Sequence, residues 1–166
     1  MSLLTIHPDF PTSPYDIITP SLRSYPPPPP LVREIRTQVK AWRDSGYRNA
    51  TDTSVVLLNW WFNTPERDFQ YYFAQREAVE TIIYLYDVLG IRDSRELVRF
   101  DRTGQLTDND FKEHWNRLVV KMATGTGKTK VMSLAIAWSF FHKLYESDSD
   151  LSRNFLVHVG RNSLVD

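Results

Sequence analysis

Val119–Trp138 reads VVKMATGTGKTKVMSLAIAW: an apolar run, a loop of threonines and glycines ending in a lysine, then a second apolar run. A phosphate is best held where several backbone N–H groups converge and the N-terminus of a helix adds its positive end. Gly125 and Gly127 let the backbone curl around an anion with no Cβ in the way. Lys128 can then reach the β and γ phosphates of a nucleotide, and the Thr129 hydroxyl can take a place on Mg²⁺. The octet Met122–Thr129, MATGTGKT, satisfies G-x-x-x-x-G-K-[ST] at every position except the first, where Met122 stands for glycine. Ala123, Thr124, Gly125, Thr126, Gly127, Lys128 and Thr129 are therefore the candidate nucleotide-binding set. ATP and Mg²⁺ are the expected cofactors, with Thr129 meeting the metal through the nucleotide.

The flanks set the fold expectation. Arg117–Met122, RLVVKM, is a short β-branched run that reads as a buried strand. Lys128–Glu146, KTKVMSLAIAWSFFHKLYE, carries apolar residues on nearly every face, as a helix enclosed in a larger layer does. After the polar connection SDSDLSRN, Phe155–Val159, FLVHV, reads as a second buried strand. Strand, loop, helix and strand make a βαβ unit with parallel strands and a right-handed crossover. The expected class is α/β: a partial P-loop NTPase domain preceded by N-terminal helices. Two parallel strands cannot cover that helix on all sides, so an apolar edge should be exposed unless the N-terminal helices or a partner chain cover it.

Upstream, the first 30 residues hold all but one of the ten prolines and end in YPPPPP at Tyr25–Pro30. Consecutive prolines cannot donate ladder hydrogen bonds and favour polyproline II, so this is an extended lead-in, a stiff linker or an SH3-type ligand. Leu31, Val32, Ile35, Val39 and Trp42 then recur at helical spacing, and Gly46 supplies the stop. A second helix starts from a cap at Thr51, Asp52 or Thr53, runs through Val55–Leu58 and Trp60–Phe62, and ends before Pro65. The third spans Gln75–Leu89, with Ala78, Val79, Ile82, Leu85, Tyr86 and Leu89 on one stripe and Gly90 at the C-cap. Between Arg92 and Arg117 the chain turns polar until Phe111 and Trp115 mark a short helix.

Composition narrows the chemistry. The 166 residues suffice for about one domain. Twenty basic residues balance 20 acidic ones, so contact with a polyanion would have to be local. The absence of cysteine excludes disulfides, thiolate nucleophiles and cysteine-ligated zinc. His7, His114, His142 and His158 show no metal-ligand spacing. Asp148–Asp150 lacks the glycine and glutamate of a calcium loop and reads as a solvated turn, while Asp87 lies on the third helix and reads as structural. No signal pattern or long apolar stretch is present, so the expectation is a cytoplasmic chain without a membrane partner.

ATGTGKT after VVKM, with FQYYFAQREAVETIIYLYDV ahead of it, resembles the start of the first motor domain of superfamily 2 helicases. The likeness is greatest to the restriction (Res) subunits of type III restriction enzymes and related DEAD/DEAH-type helicases. It runs from about Thr51 to Phe155, carried by the loop, by QREAV at Gln75–Val79 and by SLAIAWSFFHKL at Ser133–Leu144. It implies a RecA-like fold, ATP with Mg²⁺, and DNA as partner of the full-length family. It also implies that a glutamine ahead of an apolar helix, here Gln75, recognises adenine, whose edge an amide that both donates and accepts can match. Two departures stand out. Tyr72, Phe73 and Ala74 replace the arginine and aromatic pattern common ahead of that glutamine. HVGRNSLVD also replaces the usual proline-containing motif, leaving Arg161, Asn162 and Ser163 as candidate phosphate contacts.

The expected organisation is a lead-in over 1–30, a helical region with the adenine glutamine over 31–116, and a truncated P-loop ATPase core over 117–166. The Mg²⁺-holding carboxylate pair, the second motor domain and its arginine finger are not in the sequence, so binding without turnover is expected. The remainder of the motor, or a modification subunit, is then the expected partner. A non-enzymatic interaction protein with a vestigial loop and a small P-loop kinase stay open as alternatives. Magnesium-dependent hydrolysis would favour the kinase, and loss of all nucleotide affinity the interaction protein.

Overall fold

The computed structural model describes residues 29–65, 69–104, 106–107 and 120–157. Helix α1, Pro30–Asp44, opens on proline, whose missing N–H costs nothing in a first turn, and buries Ile35, Val39 and Trp42 along one stripe. Helix α2, Asp52–Phe62, is capped by Thr51, whose side chain accepts from the Ser54 N–H at 3.4 Å. It buries Ser54, Leu58 and Trp61 and leaves Val56 and Trp60 in solvent. Helix α3, Phe73–Ile83, continues as a wider π turn over Tyr84–Val88, so the predicted third helix is one unbroken rod with two hydrogen-bond patterns. A 3₁₀ helix at Ser94–Phe100 follows, in the stretch expected to be polar chain, and Asp93 and Glu96 cap it reciprocally. Helix α4, Lys128–Tyr145, follows the glycine loop.

Helix α3 lies at the centre, packed on α1 and α4 and joined by α2. Trp42, Leu58, Val79, Ile83, Leu134 and Trp138 form the main core with their neighbours, and Ile35, Val39, Leu85, Ile91 and Phe100 form a smaller one. A side chain buried as completely as Leu58 contributes about 1.5–3 kcal/mol. Tyr86 meets Trp138 edge to face at 5.3 Å, and Trp138 Nε1 donates to the buried Ser54 Oγ at 2.8 Å, fixing α4 against α2.

The α/β expectation is overturned. Among the described residues there is no strand, and the chain is helical. Val120–Met122 and Phe155–Val157, the described parts of the two expected strands, are coil, with Leu156 97% exposed. A short parallel pair has no hairpin to hold it, and both its faces need cover, so apolar composition alone does not make a sheet. Nor is α4 enclosed on all sides. Val131, Leu134, Trp138, Ser139 and His142 are buried against α2 and α3, whereas Met132, Phe140, Phe141, Leu144 and Tyr145 face solvent. The prolines up to Pro28, the helix at Phe111 and Trp115, Arg117–Val119, and His158–Asp166 lie outside the described residues, as do His7 and His114. Among the described residues no helix is long and apolar enough to cross a membrane.

Candidate functional site

The loop between Met122 and α4 is built by its glycines. Gly125 and Gly127 sit at φ +81° and +82°, and Gly127 is the N-cap of α4. The Thr126 hydroxyl and N–H both donate to the Ala123 carbonyl, at 2.7 and 3.4 Å, which closes the turn. Lys130 N–H returns to the Gly127 carbonyl at 2.9 Å, so the Lys128 and Thr129 amides precede the first bond of the helix. Lys128, Thr129, Thr124 and Gly125 are exposed. The Lys128 ammonium folds back on the loop and donates to the Ala123 and Met122 carbonyls at 3.0 and 3.4 Å. Orphan helix-end amides, a lysine and an exposed hydroxyl are the donor set that a triphosphate and its Mg²⁺ need, so the residues present fit that group. Among the described residues no cluster of His, Asp or Glu could hold a metal by itself.

Gln75 joins this loop across 51 residues of sequence: its Nε2 donates to the Thr126 carbonyl at 3.1 Å. Its Oε1 accepts from the Tyr72 N–H at 3.0 Å, which caps the start of α3. The residue is 3% exposed, so its amide is engaged at both ends and not open to solvent. Contact with Gly127 is so close that a Cβ there would lie 2.1 Å from Gln75 Nε2. Two candidates read separately in the sequence are thus one unit in space.

Beside them is a cleft of about 340 Å³ lined by Phe62, Asn63, Phe69, Tyr71 and Arg76, among others. Phe62 and Tyr71 meet edge to face at 5.2 Å, as do Phe69 and Tyr71 at 5.1 Å. The Lys130 ammonium lies 5.5 Å from the Phe69 ring centre, which brings the cleft next to the first turn of α4. Behind the cleft, Glu80 is fully buried. It accepts from Arg43 Nε at 2.8 and 3.0 Å, from Arg43 Nη2, from Arg76 Nε at 2.7 Å and from the Tyr47 hydroxyl at 2.7 Å. Burial first, then the Glu80 charge and hydrogen bond, push the Tyr47 phenol up to about 12. Burial pulls Arg76 down, but Glu80 and Tyr47 together hold it above its ordinary value. Burial raises Glu77 despite the nearby Arg36 and Arg43.

At the other end of α4, His142 Nδ1 lies 2.7 Å from Ser149 Oγ and Nε2 lies 3.3 Å from Asp87 Oδ1. Asp87 Oδ2 accepts from both the N–H and the hydroxyl of Thr51 at 2.9 Å. The side chains of this serine, histidine and aspartate are all enclosed, so they work as a tie between helices. Asp87 is structural, as its place on a helix implied, whereas Ser149 is buried within a turn whose two aspartates are exposed. Glu80, Tyr47 and Arg43 are not legible as a cluster in the sequence. The only signal was the i,i+4 pair of Arg76 and Glu80 on a helix face that otherwise reads as solvated.

A protein-family model described as "Type III restriction enzyme, res subunit" matches residues 68–166. The "Probable type III restriction-modification enzyme HindVIP Res subunit" of Haemophilus influenzae is 41% identical over 68 residues. That alignment covers 40% of this chain and 12% of the relative, so the chain matches only a small part of the relative's length. No solved structure gives a significant match.

Proposed function

The chain belongs to the family of type III restriction enzyme res subunits, and from that premise we propose that it is the ATP-binding segment of a DNA-translocating helicase motor. Gly125, Gly127 and the opening amides of α4 cradle the phosphates, with Ala123, Thr124 and Thr126 shaping the turn. Lys128 would exchange its carbonyl contacts for phosphate oxygens, and Thr129 would supply a hydroxyl to the metal. Gln75 would meet the edge of the base, and the cleft lined by Phe62, Phe69 and Tyr71 would receive its ring. Bound Mg²⁺·ATP supplies the phosphoryl group whose transfer drives movement along DNA in such motors. DNA and a modification subunit are the partners we assign to the whole protein.

The observation that carries this reading is the Gln75–Thr126 hydrogen bond. It brings the residue assigned to adenine against the loop assigned to phosphate, a juxtaposition that a glycine-rich turn of no function has no need of.

The test is titration with a fluorescent ATP analogue, with and without Mg²⁺, on wild type and Lys128→Ala. We expect Mg²⁺-dependent binding that the substitution weakens at least tenfold. Equal affinity in the two proteins, or no binding by folded wild type, would remove the nucleotide reading and favour an interaction protein with a vestigial loop.

A further inference from the structure

We propose that Arg76 is a second base-reading residue of the cleft, donating through Nη1 to an acceptor on the edge of a nucleotide base. The inference rests on the nucleotide reading above and adds to it a specificity determinant next to Gln75. Three of the five N–H groups of the Arg76 guanidinium have partners. Nε donates to Glu80 at 2.7 Å, and Nη2 donates to the Tyr47 hydroxyl at 2.8 Å and to Asn63 Oδ1 at 3.0 Å. Among the described residues Nη1 has no acceptor, and it is not one of the buried atoms left without a partner, so it remains within reach of solvent. The side chain lines the cleft and is 25% exposed. Fixed at three of its donors, the guanidinium presents the remaining two in a set direction, which lowers the ordering cost of a contact.

The occupant follows from the walls. Phe62, Phe69 and Tyr71 contribute rings to a lining that is mostly polar, with Asn63, Gln70 and Arg76 in it, and the Arg76 guanidinium already lies 5.4 Å from the Phe62 ring centre. A lining that mixes ring carbons with polar groups suits a planar ring carrying polar atoms on its edge, and a donor on its wall asks for an acceptor on that edge. The volume of about 340 Å³ is at the small end of the range for ligand pockets, suited to a nucleoside. Charge supports the same assignment. Glu80 is shared by two guanidiniums, Arg43 and Arg76, so the cluster behind the cleft keeps a positive balance that favours electron-rich ring atoms.

The experiment measures affinity for ATP, for ribose 5-triphosphate and for inorganic tripolyphosphate, all with Mg²⁺, in wild type, Arg76→Lys, Asn63→Ala and Lys128→Ala. Arg76→Lys keeps a cation for Glu80, and Asn63→Ala leaves Glu80 fully paired while loosening Arg76. Circular dichroism identifies any variant that fails to fold, and the other then carries the test. We expect Arg76→Lys to weaken ATP about tenfold, Asn63→Ala by about threefold, and both to change the two base-free ligands less than twofold. An equal loss on ribose 5-triphosphate, or no loss on ATP, would overturn the base-reading role while Lys128→Ala still upholds the nucleotide site. If Lys128→Ala has no effect, or folded wild type binds no ATP, both readings fall.

Discussion

Glu80→Gln tests how much of the fold depends on one buried charge. The carboxylate is fully buried, and through it Arg43 of α1, the Tyr47 turn and Arg76 of α3 are held together. Glutamine preserves the shape, but its amide nitrogen turns a donor toward guanidinium donors, and two cations lose the counter-charge they share. Breaking a buried ion pair from one side costs about 3–5 kcal/mol. The Arg43 and Arg76 side chains keep 20% and 25% exposure and regain some hydration, so the lower end, about 3 kcal/mol, is expected. That is a large part of the roughly 5–15 kcal/mol typical of a domain, and it corresponds to a fall in Tm of about 6–12 °C. Urea unfolding at pH 7, followed by tryptophan fluorescence and circular dichroism, reads the change directly. Arg43→Gln should show the same loss, and the double variant should lose less than the sum by more than about 1 kcal/mol. A Glu80→Gln loss below about 1 kcal/mol would refute the argument, because the cluster would then be an ion pair of surface strength.

Two further outcomes follow. Folded Tyr47 keeps its proton up to about 12, against 10.0 ordinarily, so its contribution is complete below pH 10 and is lost as pH rises through about 12. The most this amounts to is about 2.7 kcal/mol, and alkaline unfolding curves of wild type and Tyr47→Phe should converge across that window; parallel curves would show that the phenol is not the group responsible. At Gly127, φ is +82° and an alanine Cβ would lie 2.1 Å from Gln75 Nε2. Gly127→Ala should therefore cost about 1–3 kcal/mol of stability in thermal or urea unfolding, and a neutral result would mean that the loop rearranges at no cost.

The helices were legible where local chemistry decides. Thr51 caps α2 as a β-branched hydroxyl before an apolar run should, and Ile35, Val39 and Trp42 show the period of a helix lying on a core. What lies opposite each apolar residue was not legible. Val32, Val56, Trp60, Phe140 and Phe141 read as core material yet face solvent, because composition gives the width of an apolar stripe and not the number of neighbours available to cover it. The same gap produced the α/β expectation. Arg117–Met122 and Phe155–Val159 have strand composition, but a parallel ladder is a property of several segments together, and no one segment carries it. The π turn at Tyr84–Val88 was hidden for a related reason, since a one-residue widening leaves the apolar spacing almost unchanged.

At the site, single-residue chemistry was readable and pairing was not. Gly125 and Gly127 take the positive φ that a curled loop asks of glycine, and Lys128 and Thr129 stand exposed at the start of α4, each for a local reason. Gln75 announced itself only by likeness, and its position shows a constraint that likeness did not contain. Its amide already makes two hydrogen bonds, to Tyr72 N–H and to the Thr126 carbonyl. A base that engages Gln75 must either use the amide's second N–H and second lone pair or displace the bond to the loop. In the second case the half-buried Thr126 carbonyl loses its partner and must find another, in the loop or in water. Base occupancy and loop conformation are then coupled through one hydrogen bond, and the coupling acts equally in both directions. On the proposed nucleotide reading, phosphate that reshaped the loop would change the availability of Gln75, as a base on Gln75 would change the loop.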